Sequence, residues 1–189
     1  IEVMANSKKI CKHLHLPLQS GSSEILKVMN RRYDKGKYLA LVDKIKKAIP
    51  DIGLTTDIIV GFPEETDEDF LDTINLCKEV KFSKIHAFPF SLRKGTKAEN
   101  LKQVNDKVKT LRMNTLLELD KELEEEYKLK FVGEEFDVII ETYHELYQVG
   151  HTSNYLEVNI LHNENLVGNM VKIKITKYEN NKLYGELIN

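Results

Sequence analysis

Alternating polar and apolar residues mark the first predicted strand at residues 12–18. Leu14, Leu16 and Leu18 fall on one face of this period-two pattern, and His13, His15 and Gln19 fall on the other. Residues 54–60 are β-branched and almost entirely apolar, which is typical of a strand covered on both faces. A third strand is predicted at residues 84–90.

Apolar residues at helical spacing predict a helix after each of the first two strands. A short helix follows Ser20 to Ser23, and a second begins after Asp34, a plausible N-cap, and stops at Pro50. Another helix starts at a capping-box-like segment, residues 66–69, and carries Cys77 on its apolar stripe as a buried small hydrophobe. The succession predicts a right-handed βαβαβ unit whose three strands are too few to close a barrel.

The pattern changes near residue 130. Residues 105–130 read as one long helix, and five short strands separated by Gly and Asn are predicted beyond it. These strands are residues 135–141, 143–149, 154–161, 170–177 and 182–187. The sequence therefore predicts two domains, an α/β domain at 1–130 and a small OB-like all-β barrel at 131–189.

Composition excludes two classes of protein. The chain has 189 residues, 31% of them charged, with a mean hydropathy of −0.39 and no apolar run long enough for a membrane span. Its two cysteines, Cys11 and Cys77, form no CxxC motif, which argues against a disulfide framework or a zinc site and favours a cytoplasmic setting. We expect no membrane partner.

Charge gives no compositional sign of nucleic-acid binding, because the net charge is −2. Any RNA contact must depend on local basic patches, for which a solvated helix face is the plainer reading. These patches are Lys8, Lys9 and Lys12, then Lys27, Arg31, Arg32, Lys35 and Lys37, then Arg93, Lys94 and Lys97.

Four long strings resemble the radical SAM methylthiotransferases. They are HLHLPLQSGS at 13–22, MNRRY at 29–33, TTDIIVGFP at 55–63 and FPFSLRKGT at 88–96. Residues from about 130 onward, including GHTSNY at 150–155, are similar to the TRAM domain that ends those enzymes. The resemblance implies the C-terminal half of a partial, TIM-like radical SAM α/β barrel followed by an OB-like TRAM domain.

The resemblance also implies a reaction and its cofactors. In this family S-adenosylmethionine (S-adenosyl-L-methionine, SAM) is reduced to a 5′-deoxyadenosyl radical, so that a methylthio group can be added at adenine C2. The string at 86–96 is most similar to the branch acting on N6-threonylcarbamoyladenosine next to the tRNA anticodon, with the isopentenyladenosine branch as the alternative. The family uses two 4Fe–4S clusters, whose six cysteines are absent from this chain. No metal ligand or catalytic residue is therefore assigned here.

Site residues are expected where barrel strands end. The resemblance implies that Gln19 and Ser20 bind ribose hydroxyls of SAM and that Gly21 lets the backbone approach. The alternative is that residues 20–22 form only a turn and a helix cap. His13 and His15 are read as lumen or core histidines rather than ligands.

A second group of expected SAM-binding residues is Arg32, Asp57 and Gly61. Asp57 is the only acid in an apolar strand, so it needs a partner, either within the SAM site or in a structural ion pair. Arg32 is a candidate for that cation or for binding the SAM carboxylate. Ser91 and Arg93, after the third strand, are expected on the substrate side.

The β domain would hold RNA, with the anticodon stem-loop of tRNA as the partner. Its available groups are three tyrosines and two lysines, namely Tyr143, Tyr147, Tyr155, Lys172 and Lys174. For at least one of the tyrosines a position in the core is the plainer reading. The chain begins at Ile1, so we expect a missing N-terminal half and no activity of this piece alone. The alternatives are a non-catalytic RNA-binding module and a fragment without function.

Overall fold

A computed structural model describes residues 1–145 and 147–188. The chain divides into two compact units, each described by itself below. One contains residues 15–47 and 54–124, and the other contains residues 1–14, 48–53 and 125–189. The predicted single boundary near residue 130 stays a prediction, because these units are interleaved along the chain.

A three-stranded parallel sheet forms the framework of the first unit. Its strands run in the order β1 (His13–His15), β2 (Gly53–Val60) and β3 (Lys84–Pro89). In the β2–β3 register Asp57 lies opposite His86. The predicted βαβαβ succession is confirmed by this topology, since helices connect strands that lie parallel.

Strand β1 is much shorter than the predicted strand at residues 12–18. Pro17 has no N–H to donate, so the regular ladder to β2 is interrupted there. The Thr56 hydroxyl takes over, accepting from the Leu18 N–H at 2.9 Å and donating to the Leu16 carbonyl at 2.9 Å. Pairing resumes in a parallel bridge between Gln19 and Ile58.

Four helices begin and end close to the predicted positions: α2 (Ser23–Val28), α3 (Lys35–Ala48), α4 (Asp67–Val80) and α5 (Asp106–Leu129). Helix α1 (Glu2–Asn6) and a 3-10 turn at Lys97–Asn100 were not predicted from the sequence. Asp34 accepts from the Lys37 N–H at 2.8 Å, as expected of an N-cap. Thr66 and Asp69 form a full capping box at the start of α4.

Alternate residues of β2 build the core of this unit. Leu54, Thr56, Ile58 and Val60 are almost fully buried, together with apolar residues of α2, α3 and α4. Cys77 is among them, and burial raises the pKa of its thiol to about 12. The sequence interpretation of Cys77 as a small core residue is thus confirmed.

A closed five-stranded barrel forms most of the second unit. Its strands run in the order β4-β5-β6-β8-β7, with β4 (Glu135–His144), β5 (Tyr147–Thr152), β6 (Glu157–Ile160), β7 (Met170–Glu179) and β8 (Lys182–Leu187). The number of strands matches the prediction, as does the small barrel fold. Two boundaries differ: β4 continues to His144, and the predicted strand at 143–149 instead spans the β4–β5 turn, where Leu146 lies outside the described residues.

Among the described residues, nine buried apolar side chains fill the barrel; Val138, Val158, Ile173 and Leu183 are among them, each fully buried. In the middle of β4 and of β7 they alternate with more exposed residues, as a half-buried barrel wall requires. Within residues 1–145 and 147–188, no helix has both the length and the apolar character that crossing a bilayer demands.

Candidate functional site on the parallel sheet

One face of β2 carries Asp57, a residue predicted for the site, together with Thr55. These two alternate with the core residues Thr56 and Ile58, so their side chains share the other face, where Thr55 is buried and Asp57 partly exposed. His15 on β1 lies beside both: its Nδ1 is 3.0 Å from Thr55 Oγ1, and its Nε2 is 3.4 Å from Asp57 Oδ2. The strand alternation in the sequence predicts the shared face of Thr55 and Asp57, but not the position of His15 beside them.

A second histidine extends the cluster across β3. His86 is the register partner of Asp57, and its ring centroid lies 5.9 Å from that of His15. The Asp57 side chain is 30% exposed and that of His15 41%, so the group is open to a ligand. A carboxylate, two imidazoles and a hydroxyl can accept hydrogen bonds from a ligand or donate them to it. We call His15, Thr55, Asp57 and His86 the polar face.

The partner of Asp57 corrects one expectation. Arg32 was a candidate cation for this carboxylate, but the described residues contain no ion pair between Asp57 and Arg32. Arg32 instead lies exposed in the loop between α2 and α3. The side chain that contacts Asp57 is His15, which sequence reasoning set aside as a lumen or core residue. A role for Arg32 at the SAM carboxylate stays a prediction.

Gln19 lies at the carboxyl-terminal edge of the sheet, at a positive φ of 70°. Its N–H donates to the Asp57 carbonyl at 2.8 Å, and its own carbonyl accepts from the Ile59 N–H at 2.9 Å. The residue is 8% exposed. A left-handed glutamine is uncommon, and such backbone strain is concentrated at functional sites.

Ser20 and Gly21 lie against helix α4. Ser20 is fully buried, and the Gly21 N–H donates to Thr73 Oγ1 at 2.9 Å. A Cβ on Gly21 would come within 2.4 Å of the Thr73 Cα, so only glycine fits this approach. Ser22 caps α2 by accepting from the Ile25 N–H. The turn and the cap are therefore present, and ribose binding by Ser20 stays a prediction.

Gly61 ends β2 at a φ of 72°, in the left-handed region that favours glycine. Its N–H donates to Glu65 Oε2 at 2.9 Å, and the same carboxylate oxygen lies 2.6 Å from Arg112 Nη1. Burial raises the pKa of Glu65, while the Gly61 N–H and the Arg112 guanidinium act in the opposite direction. This buried pair, which sequence reasoning missed, fixes the loop after β2.

Three predicted positions are brought to one edge of the sheet. Gln19, Gly61 and Ser91 each follow the end of one strand, as parallel topology requires. Ser91 and Arg93 are exposed in the segment after β3. Their assignment to substrate stays a prediction, as does that of Gln19 and Gly61 to SAM.

The residues present do not fit an iron–sulfur cluster. A 4Fe–4S cluster is held by cysteine thiolates, whereas Cys77 is a buried neutral thiol and Cys11 is its only companion in the chain. Within the described residues no group of three or more His, Cys, Asp or Glu side chains is placed to bind a metal ion.

Comparisons with known proteins define the class of each part. Residues 1–77 match the model of the Radical SAM superfamily, and residues 129–188 match that of the TRAM domain. The solved structure of Escherichia coli coproporphyrinogen III oxidase, a radical SAM enzyme, aligns with 94% of this chain and 46% of its own, at a TM-score of 0.50 and 12% identity. That likeness supports the fold alone. The chain therefore combines a radical SAM region with a TRAM domain.

The full-length relatives are tRNA methylthiotransferases. The chain is 43% identical over 94% of its length to the threonylcarbamoyladenosine tRNA methylthiotransferase MtaB of Bacillus subtilis. It is 46% identical over all of its length to the tRNA-2-methylthio-N(6)-dimethylallyladenosine synthase of Fusobacterium nucleatum. The chain spans 41% and 44% of these two proteins. It belongs to the radical SAM methylthiotransferase family.

Proposed function

We propose that this chain is the C-terminal part of a cytoplasmic tRNA methylthiotransferase that modifies C2 of N6-threonylcarbamoyladenosine next to the anticodon. The observation that carries the proposal is the 43% identity with the Bacillus subtilis relative over 94% of the chain. The remaining part of such an enzyme would supply the cluster cysteines that this chain lacks. A second candidate substrate is dimethylallyladenosine (isopentenyladenosine), favoured by the 46% identity with the Fusobacterium relative.

The polar face fits the binding of SAM. This cofactor carries a sulfonium and an ammonium group, and the half-buried Asp57 carboxylate offers them a negative charge. SAM, when bound, supplies the one-electron and methyl-transfer chemistry of the reaction. His15 would orient Asp57 through the contact of its Nε2 with the carboxylate, and Thr55 contacts the other ring nitrogen of the same imidazole. Gln19, Ser20, Gly21, Arg32 and Gly61 would complete the cofactor site, while Ser91 and Arg93 would face substrate.

The substrate is tested by mass spectrometry of tRNA nucleosides from a strain lacking the full-length gene. Loss of the methylthio form of threonylcarbamoyladenosine alone supports the proposal, whereas loss of the methylthio form of dimethylallyladenosine alone identifies the second candidate. If both forms persist at wild-type levels, the enzyme does not act on either nucleoside and the proposal is wrong.

The polar face is tested by SAM binding to the full-length protein. We expect Asp57→Asn to weaken SAM binding by about 10-fold or more, because one charge-assisted contact is worth roughly 1.5–3 kcal/mol. Asp43→Asn, on the exposed side of α3, is the matched control and should bind SAM normally. Equal affinities of the two variants would remove Asp57 from the cofactor site.

A further inference from the structure

The segment between β3 and α5 forms a loop whose two ends are held at the carboxyl-terminal edge of the sheet. At its start the Phe90 N–H donates to the Val60 carbonyl at 2.8 Å, and at its end the Lys102 carbonyl accepts from the Glu64 N–H at 2.9 Å. All of these residues belong to the sheet unit. We call residues 91–101 the β3–α5 loop. A loop held at the strand ends in this way lies where open α/β sheets bind their ligands.

The β3–α5 loop is positively charged. It contains Arg93, Lys94 and Lys97 and a single acid, Glu99. The three cations are exposed, and within residues 1–145 and 147–188 none of them forms an ion pair. The Glu99 carboxylate instead accepts from the Gly95 N–H at 2.8 Å. Uncompensated cations in one loop favour an anionic ligand.

A tight turn holds two of these cations next to each other. The Arg93 carbonyl accepts from the Thr96 hydroxyl at 2.8 Å and from the Thr96 N–H at 3.4 Å. Gly95 has a φ of 78°, the conformation that the third residue of a type II turn requires. Arg93 and Lys94 therefore occupy the first two positions of an ordered turn, so less backbone entropy is lost when they bind a ligand.

The turn lies close to the edge of the sheet. Arg93 follows Phe90 by three residues, and Phe90 is still bonded to β2 through Val60. An extended chain spans at most about 3.6 Å per residue, so the Arg93 Cα lies within about 11 Å of the Phe90 Cα. The two cations are thus within side-chain reach of a ligand bound at the strand ends.

The two candidate nucleosides differ in charge at N6. The threonylcarbamoyl group carries a carboxylate, whereas the dimethylallyl group is an uncharged hydrocarbon. A guanidinium binds a carboxylate through two parallel N–H···O bonds, and a neighbouring ammonium adds a second positive charge. Against a hydrocarbon the same two cations lose hydration and gain no partner. Two adjacent cations therefore fit the acidic substituent and disfavour the apolar one.

We propose that Arg93 and Lys94 bind the carboxylate of the threonylcarbamoyl group, so that the β3–α5 loop selects a nucleoside with an acidic N6 substituent. The inference deepens the proposed function and rests on it, because it takes threonylcarbamoyladenosine as the substrate. It gives the substrate-side position of Arg93 a chemical role. It also adds Lys94, which the sequence interpretation counted only as part of a basic patch.

The test compares RNA probes that differ in one charge. Full-length protein is titrated with an anticodon stem-loop RNA that carries, next to the anticodon, threonylcarbamoyladenosine, its carboxylate methyl ester or dimethylallyladenosine. The attraction of the loop to RNA phosphates is common to all probes, so the ratio of the acid and ester dissociation constants isolates the carboxylate. We expect the wild type to bind the acid about 10-fold more tightly than the ester, as a charge-assisted contact allows. This preference should shrink as salt is added, because exposed charges are screened.

Matched variants test the loop itself. Arg93→Gln/Lys94→Gln should bind the acid and the ester alike, and Arg93→Glu/Lys94→Glu should prefer the ester, because like charges repel. Lys44→Gln/Lys47→Gln removes the same charge from exposed positions of α3 and should keep the wild-type ratio. Circular dichroism of each variant checks that the fold is intact.

The inference is wrong if the wild type binds the acid and the ester alike, if Arg93→Gln/Lys94→Gln keeps the wild-type ratio, or if the α3 control loses it. None of these results changes the proposed function, which the nucleoside measurement in the deletion strain decides. A strain that loses only the methylthio form of dimethylallyladenosine rejects the proposed substrate and this inference together. Equal binding of acid and ester, with loss of the methylthio form of threonylcarbamoyladenosine in the strain, rejects this inference alone.

Discussion

Among single residues, a buried charged side chain such as Arg112 has a large effect on the stability of this chain. Arg112 is 5% exposed, and its guanidinium binds the buried Glu65 at 2.6 Å and the exposed Asp67 at 2.7 Å. It also lies 5.5 Å from the centre of the Phe70 ring. Removing one member of such a pair leaves an uncompensated charge in the interior, which costs more than the pair itself contributes.

We therefore expect Arg112→Met to lower the free energy of unfolding by about 3–5 kcal/mol, as measured by urea denaturation. The double variant Glu65→Gln/Arg112→Met should lose much less, because neither side chain then carries a buried charge. Lys121→Met, exposed on the same helix, is the control. If the single and double variants were equally destabilised, lost packing rather than the unpaired charge would explain the effect.

At the scale of the elements, the helix caps follow from the local sequence. Thr66 accepts from the Asp69 N–H at 3.1 Å, and the Asp69 carboxylate accepts from the Thr66 N–H at 3.0 Å. Ser22 at the start of α2 donates to the same carboxylate at 2.5 Å, so Asp69 serves the start of two helices. Burial acts to raise the pKa of Asp69, but hydrogen bonds from Ser22 and Thr66 outweigh it and lower the pKa.

Thr66→Ala should lower the free energy of unfolding by about 1 kcal/mol, the usual value of an N-cap. Thr115→Ala, at an exposed position inside α5, is the control and should change the free energy of unfolding by at most a few tenths of about 1 kcal/mol. Because the folded pKa of Asp69 lies below its ordinary value of 3.8, the contribution of its charge is complete above that pH and is lost as pH falls further. If the loss of unfolding free energy in Thr66→Ala stayed the same in acid, the Asp69 carboxylate would not be involved in the cap.

At the scale of the whole molecule, each of the two units has its own apolar core. The core of the sheet unit combines β2 with buried residues of α2, α3 and α4, whereas the core of the barrel unit takes its apolar side chains mainly from β4, β6, β7 and β8. The barrel closes through a parallel pair, β6 with β8, and an antiparallel pair, β4 with β7. Closure removes the sheet edges, so few alternative strand pairings remain once the core of the barrel is packed.

Ile173 lies in the middle of that core and is fully buried. We expect Ile173→Ala to lower the free energy of unfolding of the barrel by about 2–5 kcal/mol, because the cavity it leaves adds to the lost transfer energy. Hydrogen exchange at β7 and β8 measures this loss, and Lys174→Ala, on the exposed face of the same strand, is the control. Unchanged protection in Ile173→Ala would mean that neighbouring side chains refill the space.

The site was only partly predictable from the sequence. Alternation along the second strand placed Thr55 and Asp57 on one face, and the structure adds His15 of β1 beside both. Alternation could not name His15 as the partner of Asp57, because the pairing register of β1 with β2 is set by tertiary contacts. The Glu65–Arg112 pair joins positions 47 residues apart, and no local pattern marks it.

The candidate RNA-binding tyrosines were also only partly predictable from the sequence. Sequence reasoning allowed that at least one of Tyr143, Tyr147 and Tyr155 belonged to the core, yet all three are exposed by at least 36%. Strand alternation did not decide this, because residues 141–144 at the end of β4 are all exposed and Tyr155 lies before the start of β6.

By itself, the sequence determined the elements, their order and the families they resemble, because hydrophobic period, caps and long motif strings are local and additive. Only the tertiary structure decided which charges meet and which rings remain exposed. It also brought residues 8–12 and 48–53 into the same compact unit as the barrel. Such contacts depend on strand register and chain reversal over long separations, and a linear pattern does not encode those distances.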